Sequence, residues 1–285
     1  MRFGCHLSVS GGLVKAAQEA QKLRLDCLQI FATSPRVWKQ RPIPQSEADS
    51  FVSACGKARL DPVVVHAPYL LNLASPEAEL WQRSTEALTE QLERAHLIGA
   101  RAVVVHPGSR GHKPLTWGLE RVAQAVSKAL SGAKGNAQVW LENTAGGGTQ
   151  IGGTLAQFGQ LRRLLKGQAV GFCLDTAHAW GAGYRLDKAN SMRRFLDRAE
   201  QILGLDAVKL WHLNDTSRLR GSRHDQHQHL GQGLVGREGF LALVCDPRLK
   251  SASGVLETPK NSRWADRRNL AYLRHLEKSC KLSLT

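Results

Sequence analysis

Val63-Val64-Val65-His66, Val103-Val104-Val105-His106-Pro107 and Val139-Trp140-Leu141-Glu142-Asn143 share one pattern: an apolar run of strand length that stops at a histidine or a carboxylate. Short β-branched runs bounded by loops read as buried strands. The same pattern extends outward in both directions and predicts eight strands, at Arg2 to His6, Cys27 to Phe31, Pro62 to His66, Arg101 to His106, Gln138 to Glu142, Ala169 to Asp175, Ala207 to His212 and Gly254 to Glu257. Between them lie apolar residues at helical spacing. Leu119, Val122, Ala123, Val126 and Leu130 share one face, as do Leu80, Ala87, Leu88, Leu92 and Ala95, and then Leu155, Phe158, Leu161 and Leu165. Strand and helix alternate without a break in composition. This predicts an α/β fold, a single (β/α)8 TIM barrel spanning residues 1–285 as one domain. An open doubly wound sheet alternates in the same way, but no Gly-x-Gly-x-x-Gly follows the first strand.

Composition narrows the function. The chain carries 39 Lys and Arg against 24 Asp and Glu, so 39 − 24 gives a net charge of +15. Such a surface attracts polyanions. No apolar run approaches the roughly 20 residues that span a bilayer, and the N-terminus lacks the apolar core of a secretory leader, so a cytoplasmic place and no membrane partner are expected. Cys5, Cys27, Cys55, Cys173, Cys245 and Cys280 lie far apart with no Cys-x-x-Cys pair, and are expected to be reduced, partly buried thiols.

The strand ends carry the chemistry. In barrels of this type the active site forms at the C-terminal ends of the strands. There the last six strands offer His66, His106, Glu142, Asp175 with His178 three residues on, His212, and Glu257. The loop after strand seven adds Asp225 and His227. One rim so dense in carboxylates repels itself unless cations are bound. Five imidazoles and four carboxylates are too many for one four-coordinate zinc. Two or three ions fit better, with zinc preferred to magnesium and manganese compatible with one position.

These motifs carry a resemblance over almost the whole chain. His66-Ala-Pro-Tyr-Leu-Leu-Asn-Leu-Ala, His106-Pro-Gly-Ser, Leu-Glu142-Asn-Thr-Ala-Gly-Gly-Gly, Cys-Leu-Asp175-Thr-Ala-His178, His212-Leu-Asn-Asp and Gly-Ser-x-x-Asp225-x-His227-x-x-Leu-Gly-x-Gly resemble the endonuclease IV family of abasic-site nucleases. The resemblance implies three zinc ions. His66 and His106 would hold the first, and Glu142, the catalytic carboxylate, would bridge it to the second. Asp175, His212 and Glu257 would complete the second, and His178, Asp225 and His227 the third. Gln226 departs from the arginine usual in the family, and Ser34-Pro35 stand where it often has more polar residues.

The implied reaction is hydrolysis of the phosphodiester 5′ to an abasic site, leaving a 3′-hydroxyl and a 5′-deoxyribose phosphate, with 3′-end phosphodiesterase activity as a companion. The implied partner of this DNA-repair hydrolase is double-stranded DNA containing abasic sites, bound by a monomer. Basic residues concentrate in loops of the same face: Arg36, Lys39, Arg41, Arg110, Lys113, Arg218, Arg220, Arg223, Lys260 and Arg263. Arg218, Arg220 and Arg223 read as phosphate contacts, and Arg36, Tyr69 and Leu70 match the family's minor-groove wedge. Two other functions use part of the pattern. A metal-dependent sugar isomerase or epimerase on the same barrel needs only about four ligands and leaves the basic loops unexplained. A non-catalytic zinc-stabilised DNA-binding protein needs closed, structural metals, whereas a barrel mouth leaves positions open.

Overall fold

The computed structural model describes residues 1–39 and 41–282. Eight parallel strands close into a barrel in chain order: β1 (Arg2–Leu7), β2 (Cys27–Ile30), β3 (Val63–His66), β4 (Ala102–Val105), β5 (Gln138–Glu142), β6 (Val170–Asp175), β7 (Val208–His212) and β8 (Ser253–Leu256). Every strand begins and ends within one residue of the position read from the sequence. Pairing of Arg2 with Ser253 through Cys5 with Leu256 shuts the barrel, and only tertiary structure supplies that seam. Between the strands run α1 (Leu13–Leu23), α2 (Gln45–Ala58), α3 (Ala78–Leu97), α4 (Leu115–Gly132), α5 (Leu155–Leu164), α6 (Thr176–Gly181), α7 (Ala189–Leu203) and α8 (Gly236–Val244), with α9 (Ala265–Leu282) after β8. Leu119, Val122, Ala123 and Val126 of α4 are buried, as the 3.6-residue period requires of the face against the sheet. Thr154 caps α5 by accepting from the Gln157 amide, and Asp175 caps α6 by accepting from the His178 amide. Among the described residues, no helix is long and apolar enough to cross a membrane.

Side-chain parity along the strands positions the site. Successive side chains of a strand point to opposite faces. Inside the barrel Cys27, Val64, Ala102, Val104, Trp140, Cys173, Leu210 and Val255 form an apolar plug separate from the core under the helices. In β1 the inward position is Gly4, where a Cβ would lie 2.2 Å from the Cys27 carbonyl oxygen, so only glycine fits. Two residues further along each strand the inward direction recurs. It brings His6, Gln29, His66, His106, Glu142, Asp175, His212 and Glu257 above the plug. The plug keeps water from the floor of this polar layer.

The thiols correct one expectation. Cys245, at the end of α8, is bonded to Cys280 of α9, with Cα atoms 5.4 Å apart. That spacing lies within disulfide range, and α8 and α9 pack side by side, so the fold joins two residues that have no spacing signature in the chain. Cys5, Cys27, Cys55 and Cys173 are free and buried, as expected. Burial pushes the Cys27, Cys55 and Cys173 thiols up to about 12.

Candidate active site

Glu142 is the hub. Its side chain is wholly buried at the end of β5, with Oε2 3.1 Å from His66 Nε2 and 3.6 Å from His106 Nε2. Its Oε1 lies 2.8 Å from His212 Nδ1 and 3.4 Å from His178 Nδ1. Among the described residues, three clusters built only of imidazoles and carboxylates could each hold a metal ion. They are His66, His106 and Glu142; Glu142, Asp175, His212 and Glu257; and Asp175, His178 and His227. Glu142 and Asp175 each belong to two clusters, so the three adjoin. A further grouping, Glu142, Cys173 and His212, includes a thiol that burial holds protonated at neutral pH.

The grouping implied by the family resemblance has Asp225, not Asp175, with His178 and His227. Asp225 Oδ1 does lie 3.1 Å from His178 Nε2 and 3.4 Å from His227 Nε2, on the solvent side of that cluster, while Asp175 approaches His227 Nε2 at 3.5 Å from within. Among the described residues, His178 Nε2, His227 Nε2 and His106 Nδ1 are buried without a hydrogen-bond partner. Buried polar atoms are normally paired. Ring nitrogens facing carboxylate oxygens at 3.1–3.5 Å without hydrogen-bond geometry fit cations between them, so the donor set suits divalent ions with nitrogen and oxygen ligands.

The outer atoms of these side chains are pinned. His66 Nδ1 lies 2.7 Å from the Ala67 carbonyl oxygen, His178 Nδ1 2.9 Å from that of Asn143, and His227 Nδ1 3.2 Å from that of Glu257. The Asn214 amide donates to Asp175 Oδ2 at 2.6 Å and accepts from the Glu257 backbone N–H at 2.9 Å. Such outer partners fix ring orientation and tautomer. Asp215, in the His212-Leu-Asn-Asp motif, takes no part in the clusters. Its carboxylate accepts from the amides of Thr216, Gly231, Gly233 and Val235, and so shapes the loop that carries Asp225 and His227.

Charges in the cluster are mutually sustained. Burial opposes ionisation of Glu142, yet His212, which is also within hydrogen-bond distance, together with His106 and the nearby His178, holds its carboxyl well below the usual range. Glu257 is held low against burial by His212 and His6. Asp225 is held at about 2 against burial, chiefly by His178. Burial likewise opposes the His178 cation, but Asp175, Asp225 and Glu142 raise it well above its ordinary value. His212 is raised against burial beside Cys173, Glu142 and Glu257; since the Cys173 thiol is neutral at pH 7, the carboxylates carry the effect. His66 is raised despite burial by Glu142, whereas burial lowers His106. Glu142, Glu257 and Asp225 thus favour their ionised forms beside the raised imidazoles of His66, His178 and His212, a balance in which bound divalent ions would displace imidazole protons.

Two members of this layer are not among the ligands read from the sequence. His6 Nδ1 lies 3.2 Å from Glu257 Oε1, and the wholly buried Gln29 touches His6, Glu257 and His212. Strand parity is the signal that finds them; a search for ligand types at the last six strands passes over a first-strand histidine and a glutamine.

Of the nucleic-acid candidates, Tyr69 is 66% exposed and stands edge-on to Phe31 at 5.3 Å and tilted to His66 at 5.8 Å. Arg36 is exposed and Leu70 half-buried. Tyr69 and Leu70 line a cavity of about 340 Å³ that reaches His66, His106, His178 and Asp225. A larger cleft of about 760 Å³ is lined by His6 and Phe31, whose rings stand beside His66 and Tyr69, and is rimmed by Lys39, Arg41 and Lys260. Arg218 and Arg220 are exposed, with no protein partner for either guanidinium among the described residues. Arg223 differs: its guanidinium donates to the Gly146 carbonyl at 2.9 Å, tying the loop after β7 to the glycine-rich loop after β5.

A protein family described as a xylose isomerase-like TIM barrel matches residues 17–277. Endonuclease 4 of Thermus thermophilus is 42% identical over 277 residues, covering 96% of this chain and 97% of that one. A probable endonuclease 4 of Halothermothrix orenii is 38% identical, covering 92% of this chain and 95% of that one. The crystal structure of endonuclease IV from a second strain of Thermus thermophilus superposes with a TM-score of 0.88 at 38% identity, over 98% of this chain and 100% of that one. A D-tagatose 3-epimerase-like protein, at 19% identity and a TM-score of 0.76, shares the fold alone. Identity at this level along nearly the full length of both chains, with the clustered histidines and carboxylates at the barrel mouth, shows that this chain belongs to the endonuclease IV family.

Proposed function

We propose that this chain is a DNA-repair endonuclease that hydrolyses the phosphodiester 5′ to an abasic site, leaving a 3′-hydroxyl and a 5′-deoxyribose phosphate, with companion 3′-end phosphodiesterase activity. The observation that carries the reading is three adjoining clusters of nitrogen and oxygen ligands sharing Glu142 and Asp175 at the mouth of one barrel. His66 and His106 with Glu142 would hold one zinc ion; Glu142, Asp175, His212 and Glu257 a second; His178, Asp225 and His227 a third, with manganese an alternative occupant of one position. Bound divalent ions would supply a water of lowered pKa and neutralise charge on phosphoryl and leaving oxygens. Hydrolysis adds water across the P–O3′ bond and gives the 3′-oxygen a proton.

The chain's own groups orient that chemistry. Glu142, the proposed catalytic residue, joins two clusters because its two oxygens face different histidines. Asn143 and Asn214 hold Asp175, and the apolar plug beneath limits water to the mouth. Tyr69, propped by Phe31, with Leu70 and Arg36, would occupy a stack already broken by the missing base, which costs little to open. Arg218, Arg220 and Arg223 lie along the proposed path of a phosphate backbone. The partner is double-stranded DNA bound by a monomer, and such a substrate places the protein in the cytoplasm with the genome. The Cys245–Cys280 bond is unusual for that compartment.

A sugar epimerase would use only the cluster of Glu142, Asp175, His212 and Glu257, leaving His66 and His106 beside Glu142 and the unpartnered Nε2 atoms of His178 and His227 without purpose. The deciding experiment is nicking of abasic and intact duplexes before and after exhaustive chelation. Activity confined to the abasic duplex should vanish with the metal and return with zinc but not with magnesium. Full activity in a verified metal-free preparation would overturn the proposal.

A further inference from the structure

Gln29, at full burial in β2, is neither a metal-ligand type nor a nucleophile, yet it touches two members of one cluster. Its Nε2 lies 2.6 Å from Glu257 Oε1 and 2.9 Å from His6 Nδ1, and its Oε1 lies 2.9 Å from His212 Nε2. The amide can sit only one way round. Turned over, its oxygen would face the Glu257 carboxylate oxygen at 2.6 Å, acceptor against acceptor. With the NH2 group toward Glu257, Oε1 can only accept, so His212 carries a proton on Nε2. That leaves His212 Nδ1, once it gives up its proton, as the nitrogen free to take an ion in the space it shares with Glu142 Oε1, 2.8 Å away, and Glu257 Oε2, 3.2 Å away. The same amide engages Glu257 Oε1 and leaves Oε2 toward that space.

We infer that Gln29 is a positioning residue for the ion held by Glu142, Asp175, His212 and Glu257: one buried amide selects the His212 tautomer and aims the Glu257 carboxylate. The inference rests on the metal reading above. No other side chain of similar size does both tasks. A carboxylate at position 29 would repel Glu257, and an apolar side chain would leave His212 Nε2–H buried and unpaired. The effect is local, because His66 and His178 take their orientation from the Ala67 and Asn143 carbonyls instead. Outer hydrogen bonds of this kind change metal affinity by about 10–100-fold.

Zinc binding by the full chain tests it, read by competition with a chromophoric chelator for the parent, Gln29→Met and Glu257→Gln. Gln29→Met should weaken one ion by about 10–100-fold and leave the others at parental affinity. Parental affinity for every ion in Gln29→Met, with an ion lost from Glu257→Gln, overturns the role of Gln29. Parental affinity in both variants overturns the metal reading itself. A second measurement needs no variant: the imidazole ¹⁵N spectrum of the zinc-loaded parent should show His212 protonated at Nε2, and a proton on Nδ1 instead refutes the inference.

Discussion

Replacing Glu142 by Gln changes one atom at the centre of the site, and its consequences follow from the distances. The carboxylate faces His66 at 3.1 Å through Oε2 and His212 at 2.8 Å through Oε1. An amide keeps the shape but presents its NH2 to one of these nitrogens, leaving a buried mismatch that costs about 1–3 kcal/mol. The larger loss is charge. A unit charge about 3 Å from another is worth about 5 kcal/mol at an effective dielectric of about 20, and a divalent ion doubles the attraction. Even if the amide oxygen retains most of the coordination, a deficit of about 4 kcal/mol in holding the reactive arrangement corresponds to roughly a thousandfold in rate. Binding should separate from cutting, because Tyr69 and the basic loops are untouched. The assay is single-turnover nicking of an abasic duplex, paired with equilibrium binding to the same duplex and with metal analysis. We expect cleavage to fall by at least about 10³ with duplex affinity near the parental value. A Glu142→Gln enzyme that cuts within tenfold of the parent would show that this carboxylate does not bridge the clusters.

The DNA-facing surface and the staple at the end of the chain make further predictions. Arg218→Gln and Arg220→Gln should each flatten the slope of log affinity against log salt by about one, on abasic and intact duplexes alike, since a phosphate contact releases counterions without reading the lesion. Unchanged slopes would remove the proposed DNA path from the loop after β7. Arg223→Gln should in addition loosen that loop through its lost bond to Gly146, seen as faster amide exchange over residues 221–229; protection equal to the parent's would argue against the tie. Tyr69→Ala and Arg36→Ala should lower the preference for abasic over intact duplex while leaving nonspecific affinity nearer the parent's, and an equal loss on both duplexes would reject the wedge. The Cys245–Cys280 bond closes a loop of 35 residues that includes β8 and Glu257, so Cys280→Ser should destabilise the oxidised protein by roughly 4 kcal/mol in urea unfolding. Finding six titratable thiols rather than four in the unreduced, denatured chain would show the bond unformed.

Much of the architecture is local and so is legible in the chain. Val63 to Val65 and Val103 to Val105 are buried on both faces of a parallel sheet, and that burial selects the continuous β-branched runs that mark β3 and β4. Leu119 to Val126 repeat at the helical period because one face of α4 must meet the sheet. A histidine or carboxylate at the end of such a run is visible for the same reason, since an apolar run cannot tolerate it sooner without a partner. Contacts between distant strands are not local, and periodicity says nothing about them. Parity along β1 and β2 turns His6 and Gln29 inward, but the stagger and tilt of eight strands decide that they meet Glu257 and His212. The same stagger leaves Glu142 shared between two clusters and puts Asp175 inside the third, with Asp225 at its outer edge. Cys245 meets Cys280 because α8 packs on α9, and Arg223 reaches Gly146 because two loops converge at the rim. Residue type and spacing are recorded in the sequence one strand at a time. Which groups come within about 3 Å of one another is set by closure of the barrel, a property of all eight strands together.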